Sequence, residues 1–123
     1  MVDKLKLAIT IESFGLKTKK EIPHADLYLD ARVLPDPAHY NGGSIEDMQI
    51  FMHHHANPVL MDLKRLVYQS ILLLEARRGS EKLYSKPFHI LTMCAHGCHR
   101  SVVLKHEIAR YLNDYGYLNV EVK

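Results

Sequence analysis

The sequence predicts a small α/β domain of three layers, with a mainly parallel sheet of about four strands and helices on both faces. Three observations lead there. Short apolar segments alternate along the chain with longer ones whose apolar residues recur at helical spacing. One short segment, 88-FHILTM-93, is apolar enough to be buried on both faces, as a central parallel strand requires. The 123 residues, 47% of them hydrophobic, suffice for one core, so 1–123 reads as a single domain.

Each element has its own signal. Lys4–Ile11, KLKLAITI, alternates and then runs apolar, which predicts the first strand. Glu12–Ile22 follows as a polar connection carrying Ser13, Phe14, Gly15 and the basic Lys17, Lys19 and Lys20. Asp26–Ala31, DLYLDA, predicts a second strand, and Pro35, Pro37, Gly42 and Gly43 mark a loop after it. Ser44 with the acidic Asp47 three positions on is a helix N-cap, opening a short helix toward His55. Asn57 and Pro58 start another helix, with Asn as cap and Pro in the first turn. Its apolar positions Val59, Leu63, Leu66, Val67, Ile71 and Leu74 carry it to about Arg78. Gly79 and Ser80 end it, and Arg77 and Arg78 suit its negative C terminus. Phe88–Met93 is the third strand, Ser101–Tyr115 a helix closed by Gly116, and Asn119–Val122 the last strand.

Composition narrows the function classes. The formal charge of +2 and pI near 8.5 permit a nucleic-acid partner but lack the strong basic bias of a dedicated one. No run approaches the roughly 18–20 apolar residues of a membrane span, and the charged start does not read as a secretory signal, so a cytoplasmic place and no membrane partner are expected. Cys94 and Cys98 sit in one loop with poor disulfide geometry, which fits a reducing compartment. His53, His54 and His55 with Cys94, His96, Cys98 and His99 hold the residue types zinc prefers. Three consecutive histidines cannot face one site from a helix, and the cysteines lack finger spacing, so no metal and no cofactor are expected. The basic residues at Lys17–Lys20 and the pair Arg77 and Arg78 read as solvated surface.

The segment 94-CAHGCHRS-101 carries the chemistry. It runs from the third strand into a helix, where ligands of open parallel sheets sit and where free backbone N–H groups and the helix dipole favour an anion. Gly97 allows close backbone approach, Arg100 offers a two-pronged fork for phosphate, and Ser101 can cap or donate. A cysteine at a helix mouth beside His99 and Arg100 is also placed to become a thiolate nucleophile. The pattern C-x-x-G-x-x-R-S resembles the phosphate loop of cysteine-dependent protein phosphatases, with Met93 where those enzymes usually carry His. On that alternative Cys94 attacks phosphorus, Arg100 holds the phosphoryl group, and Asp36 or Asp30 is the general acid.

A second resemblance covers more of the chain. Ser13, Phe14 and Gly15, then Asp30, Arg32, Leu34, Pro35 and Pro37, then Cys94, Gly97, His99, Arg100, Ser101 and Val102 resemble the C-terminal domain of the RapZ adapter family, called YvcJ in some lineages. The blocks keep the family's order and similar spacing across most of residues 8–115. The resemblance implies a domain that binds an amino-sugar phosphate, glucosamine-6-phosphate, and engages a small regulatory RNA and partner proteins. Carried over by position, Cys94, Gly97, His99, Arg100 and Ser101 would cradle the phosphate, with Asp30 and Arg32 facing the same pocket. A sensor or adapter is therefore expected rather than an enzyme, with a homo-oligomer as its assembly. No G-x-x-x-x-G-K-[ST] of the family's nucleotide-binding domain occurs here. The segment after Pro37 is shorter than the family's, and the basic tail tied to RNA contact is replaced by Val120–Lys123. RNA binding is accordingly expected to be weaker than ligand binding.

Overall fold

The computed structural model describes residues 2–18, 21–37, 44–96 and 99–123. Four strands form one sheet in the order β2-β3-β1-β4: β1 is Ile9–Gly15, β2 Leu27–Asp30, β3 Phe88–Cys94 and β4 Val120–Val122. All the pairings are parallel, with Ile9 opposite Phe88, Gly15 opposite Cys94, Asp30 opposite Met93 and Ile9 opposite Val120. A 3-10 turn at Ala31–Val33 follows β2. The helices are α1 (Ile45–Leu72), the short α2 (Leu74–Arg78) and α3 (Arg100–Asp114).

The first strand lies later than its sequence pattern suggests. The side chain of Asp3 accepts from Leu5 N–H at 3.0 Å and its carbonyl from Leu7 N–H at 3.1 Å, which folds Lys4–Lys6 into a turn. The polar-looking Glu12–Gly15 instead completes the ladder against Leu91–Cys94. A central position thus overrides weak local strand propensity.

α1 opens as expected, with Ser44 Oγ accepting from Asp47 N–H at 3.0 Å. Two helices were predicted across this stretch, and Ala56 (φ −142°, ψ 25°) breaks the helical path just before Asn57 and Pro58. Asn57 does not cap: its Oδ1 pairs with His53 Nδ1 at 3.2 Å. α2 ends at Gly79, whose N–H still donates to Glu75 O at 2.8 Å and whose φ of +79° then turns the chain out of the helix.

The main core lies on one face of the sheet. Ile9 and Ile11 of β1, Phe88 and Ile90 of β3 and Leu29 of β2 pack there against Met52, Leu60, Val67 and Ile71 of α1, Leu74 of α2, and Val103, Leu104, Ile108 and Leu112 of α3. The third layer is thinner than predicted. Phe14 and Leu91 on the other face are covered by Ala25 and Leu16 of the β1–β2 connection rather than by a helix. The reason is topological: β2-α1-α2-β3 and β3-α3-β4 both step the same way across the sheet, so right-handed crossovers place both on one side.

One expected surface group is buried. Arg78 donates to Leu83 O, Lys86 O, Pro87 O and Asp26 Oδ2, which staples the α2–β3 connection to the start of β2. Among the described residues its Nε finds no hydrogen-bond partner. Among the described residues no helix is long and apolar enough to cross a membrane.

Candidate phosphoryl-ligand site at the mouth of the third helix

The connection leaving β1 crosses toward β2 over one face of the sheet, and the one leaving β3 crosses toward β4 over the other, so the two connections part at the carboxyl ends of these paired strands. Such a switch point opens a crevice in parallel sheets. Cys94 and Gly15 end these strands side by side. Leu16 N–H donates to Cys94 O at 2.8 Å and Lys17 N–H to Ala95 O at 2.7 Å, extending the contact past the ladder. Gly15 makes this possible. A Cβ there would lie 2.6 Å from the His96 carbonyl carbon and oxygen and 2.5 Å from Thr18 Oγ1.

Two buried side chains join the end of β3 to the first turn of α3. Thr92 Oγ1 donates to Ser101 O at 2.8 Å, and Cys94 Sγ donates to Ser101 Oγ at 3.0 Å. Cys94 is 4% exposed and Ser101 is fully buried. His99 occupies the N-cap position without a side-chain cap bond, so its side chain stays available to the crevice.

Arg100 reaches back to the segment after β2, donating through Nη1 to Arg32 O at 3.2 Å and Leu34 O at 3.4 Å. That contact brings the Asp30–Pro37 segment to the helix mouth. Asp36 Oδ1 lies 3.9 Å from His99 Nδ1. Asp36, Cys94, Ala95, His96, His99 and Arg100 enclose a cavity of about 30 Å³.

Asp30 and Arg32 stand beside this cavity rather than lining it. The guanidinium of Arg32 grips Asp30 through Nε at 2.9 Å and Nη2 at 2.8 Å, while Asp30 Oδ1 also accepts from Arg32 N–H at 3.0 Å. The Arg32 hydrogen bonds hold the Asp30 carboxyl below its ordinary value, and Asp30 in turn raises the Arg32 guanidinium. Cys94, His99, Arg100 and Ser101 are thus brought together at the helix mouth. Gly97 and Cys98 lie outside the described residues, as do Lys19, Lys20, Gly42 and Gly43. Sequence reasoning gave Ala95 and His96 no ligand role, although both line the cavity. For His96 nothing but its place in the loop could have signalled it.

Of the histidine run, His53 joins two helices. His53 Nε2 contacts Glu107 Oε1 at 2.6 Å, tying α1 to α3. Among the described residues no three His, Cys, Asp or Glu side chains are grouped to hold a metal ion.

Known proteins carry the same pattern. A nucleotide-binding protein of Pseudothermotoga lettingae is 29% identical over 126 aligned positions, covering 97% of this chain and 43% of that protein. A nucleotide-binding protein of Thermodesulfovibrio yellowstonii is 39% identical over 114 positions, covering 89% of this chain and 39% of the relative. The chain thus spans less than half the length of either. The pattern of the RapZ C-terminal domain matches residues 7–123, taking in every strand and helix described above and the whole crevice. The chain belongs to the RapZ C-terminal domain family.

Proposed function

We propose that the domain is a sensor or adapter that binds a phosphorylated small molecule, a phosphosugar such as glucosamine-6-phosphate, at the mouth of α3. One observation carries this reading: Arg100, His99 and the N terminus of α3 meet Cys94 and Asp36 around one cavity at the carboxyl ends of the strands. The helix mouth and Arg100 take the phosphate, with Ser101 shaping the start of the helix. Asp36 and Asp30 offer carboxylates for the ammonium and hydroxyl groups of an amino sugar, with Arg32 steadying Asp30. A cavity of about 30 Å³ is far smaller than a phosphosugar, and on this reading the ligand parts Arg100 from Arg32 and Leu34 as it enters. That movement would be the sensed event.

The two relatives are described as nucleotide-binding, and each is more than twice the length of this chain. A nucleotide phosphate would use the same helix mouth. The test is calorimetric titration with glucosamine-6-phosphate, glucosamine, inorganic phosphate and AMP. Tightest binding of the amino-sugar phosphate supports the reading, and preference for AMP overturns the sugar. Further parts of the proposal are a cytoplasmic place, a homo-oligomer, and a protein or RNA partner, the RNA held weakly given the charge of +2.

A second reading is a cysteine-dependent phosphatase. Its support is that Asp36 shares the cavity with Cys94 and Arg100, as a general acid must share a site with its nucleophile. The thiol, however, is buried and bonded to Ser101.

A further inference from the structure

A groove of about 530 Å³ lies between the first half of α1 and α3, away from the Cys94 loop. That volume is within the range of small-molecule pockets. Glu46, Gln49, Ile50, His53 and His54 of α1 line it, with Glu107 and Arg110 of α3.

Its floor is built. Glu107 is 1% exposed, and its Oε1 accepts from His53 Nε2 at 2.6 Å and Lys64 Nζ at 3.1 Å. Among the described residues its Oε2 accepts only from Gln49 Nε2, at 2.6 Å. An ionised carboxylate offers about four acceptor positions, so Oε2 keeps one. His53 is itself steadied by Asn57 on its other ring nitrogen.

The walls carry opposite charges. Among the described residues the side chains of Glu46 and Arg110 make no hydrogen bond or ion pair, with each other or with anything else. Lys64 neutralises Glu107. One anion from α1 and one cation from α3 therefore face a common volume, with His53 and His54 also on its wall. A phosphorylated ligand would meet Glu46, which has no cation beside it among the described residues, whereas a neutral molecule with separated charges satisfies each wall. Ile50, 56% exposed at the rim, adds an apolar contact.

We propose that this groove binds a small zwitterion of the free α-amino-acid type. Its ammonium lies between Glu46 and Glu107 Oε2, its carboxylate rests on Arg110, and its side chain lies along Ile50. The site is separate from the phosphoryl-ligand crevice, and neither reading depends on the other.

The experiment is a titration of the ¹⁵N-labelled chain followed by amide shifts. L-leucine and L-glutamine are the probes, with L-leucinamide and N-acetyl-L-leucine as half-ligands lacking one charge each. Saturable shifts at Gln49, Ile50, His53 and Arg110 are expected, with each half-ligand weaker by about tenfold or more, the usual effect of losing one charged hydrogen bond. Glu46→Gln and Arg110→Gln should each weaken L-leucine to a similar degree while leaving distant amides in place, which also shows that the variants fold. The proposal is overturned if neither amino acid gives saturable shifts up to roughly 10 mM, about ten times a millimolar Kd. Half-ligands that bind as well as L-leucine overturn it too, as do shifts confined to the loop around Cys94.

Discussion

Cys94 and Ser101 are hydrogen-bonded across the loop they bound, thiol to hydroxyl at 3.0 Å, with both side chains buried. The bond locks the last residue of β3 to the first turn of α3, so the cysteine serves the shape of the loop. Cys94→Ser keeps a donor at this position. Glucosamine-6-phosphate affinity should change less than about threefold, well under the tenfold that a lost charged hydrogen bond gives. Aryl phosphate hydrolysis should be negligible in wild type, Cys94→Ser and Asp36→Asn alike. Turnover in wild type that disappears in both variants would establish the phosphatase instead.

Arg100→Ala removes the cation at the helix mouth and its two contacts to the Arg32 and Leu34 carbonyls. Calorimetric affinity for the phosphosugar should fall by about 1.5–3 kcal/mol, as expected for a charged hydrogen bond. Arg100→Lys should recover only part, because an ammonium cannot fork. Unchanged affinity in Arg100→Ala would take the arginine out of the site.

Gly15→Ala should damage the same site from the opposite strand. The added Cβ would press on the His96 carbonyl at 2.6 Å, and main chain cannot yield as a side-chain end can. A stability loss of about 1–3 kcal/mol is expected in denaturant titration, typical of overpacking, together with weakened phosphosugar binding. Wild-type stability and binding would show that the loop accommodates a methyl group.

Removing the buried carboxylate of Glu107 leaves Lys64 buried without its anion. Glu107→Ala should cost about 3–5 kcal/mol, the usual range for breaking a buried pair. Lys64→Met with Glu107→Leu should regain most of it. If the single variant unfolds at the wild-type denaturant midpoint, the pair contributes nothing.

Acid should weaken the fold through His106. Burial first, and Lys105 beside it second, hold its imidazole below the ordinary 6.5. The unfolded chain then binds this proton more readily than the folded one. The related stability is complete above about pH 6.5, the unfolded value, and declines as pH falls toward the lowered folded value. His106→Asn should flatten that part of a stability–pH profile. An identical slope in wild type and variant would assign the acid sensitivity elsewhere.

The periodic elements were legible in the sequence because their partners are local. The Ser44 cap, the Gly79 stop and the Ile9/Ile11 and Phe88/Ile90 faces are written in short patterns. The first strand was misplaced because its pairing residues, Glu12–Gly15, gain strand character only from neighbours far along the chain. Arg78 looked like surface for the same reason, since Asp26, Leu83, Lys86 and Pro87 converge on it only once the chain folds. At the site, the loop motif located Cys94, His99, Arg100 and Ser101, and the proline-flanked Asp36 was singled out as an acid. The engagement of Arg100 with the Arg32 and Leu34 carbonyls was not legible, because backbone acceptors carry no residue signature.

The strand order also governs how the chain can assemble. β1 and β2 follow one another in sequence yet never pair, and each finds its partner in β3. The first ladder available to β1 therefore waits for a segment roughly eighty residues downstream, a separation associated with slow, high-contact-order folding. A nascent chain that has not yet delivered Phe88–Cys94 holds two strands and no sheet. The backbone N–H and C=O groups along β1 and β2 stay unpaired until that strand emerges, so synthesis of the stretch between Asp30 and Phe88 is an interval in which two open strand edges are exposed to aggregation.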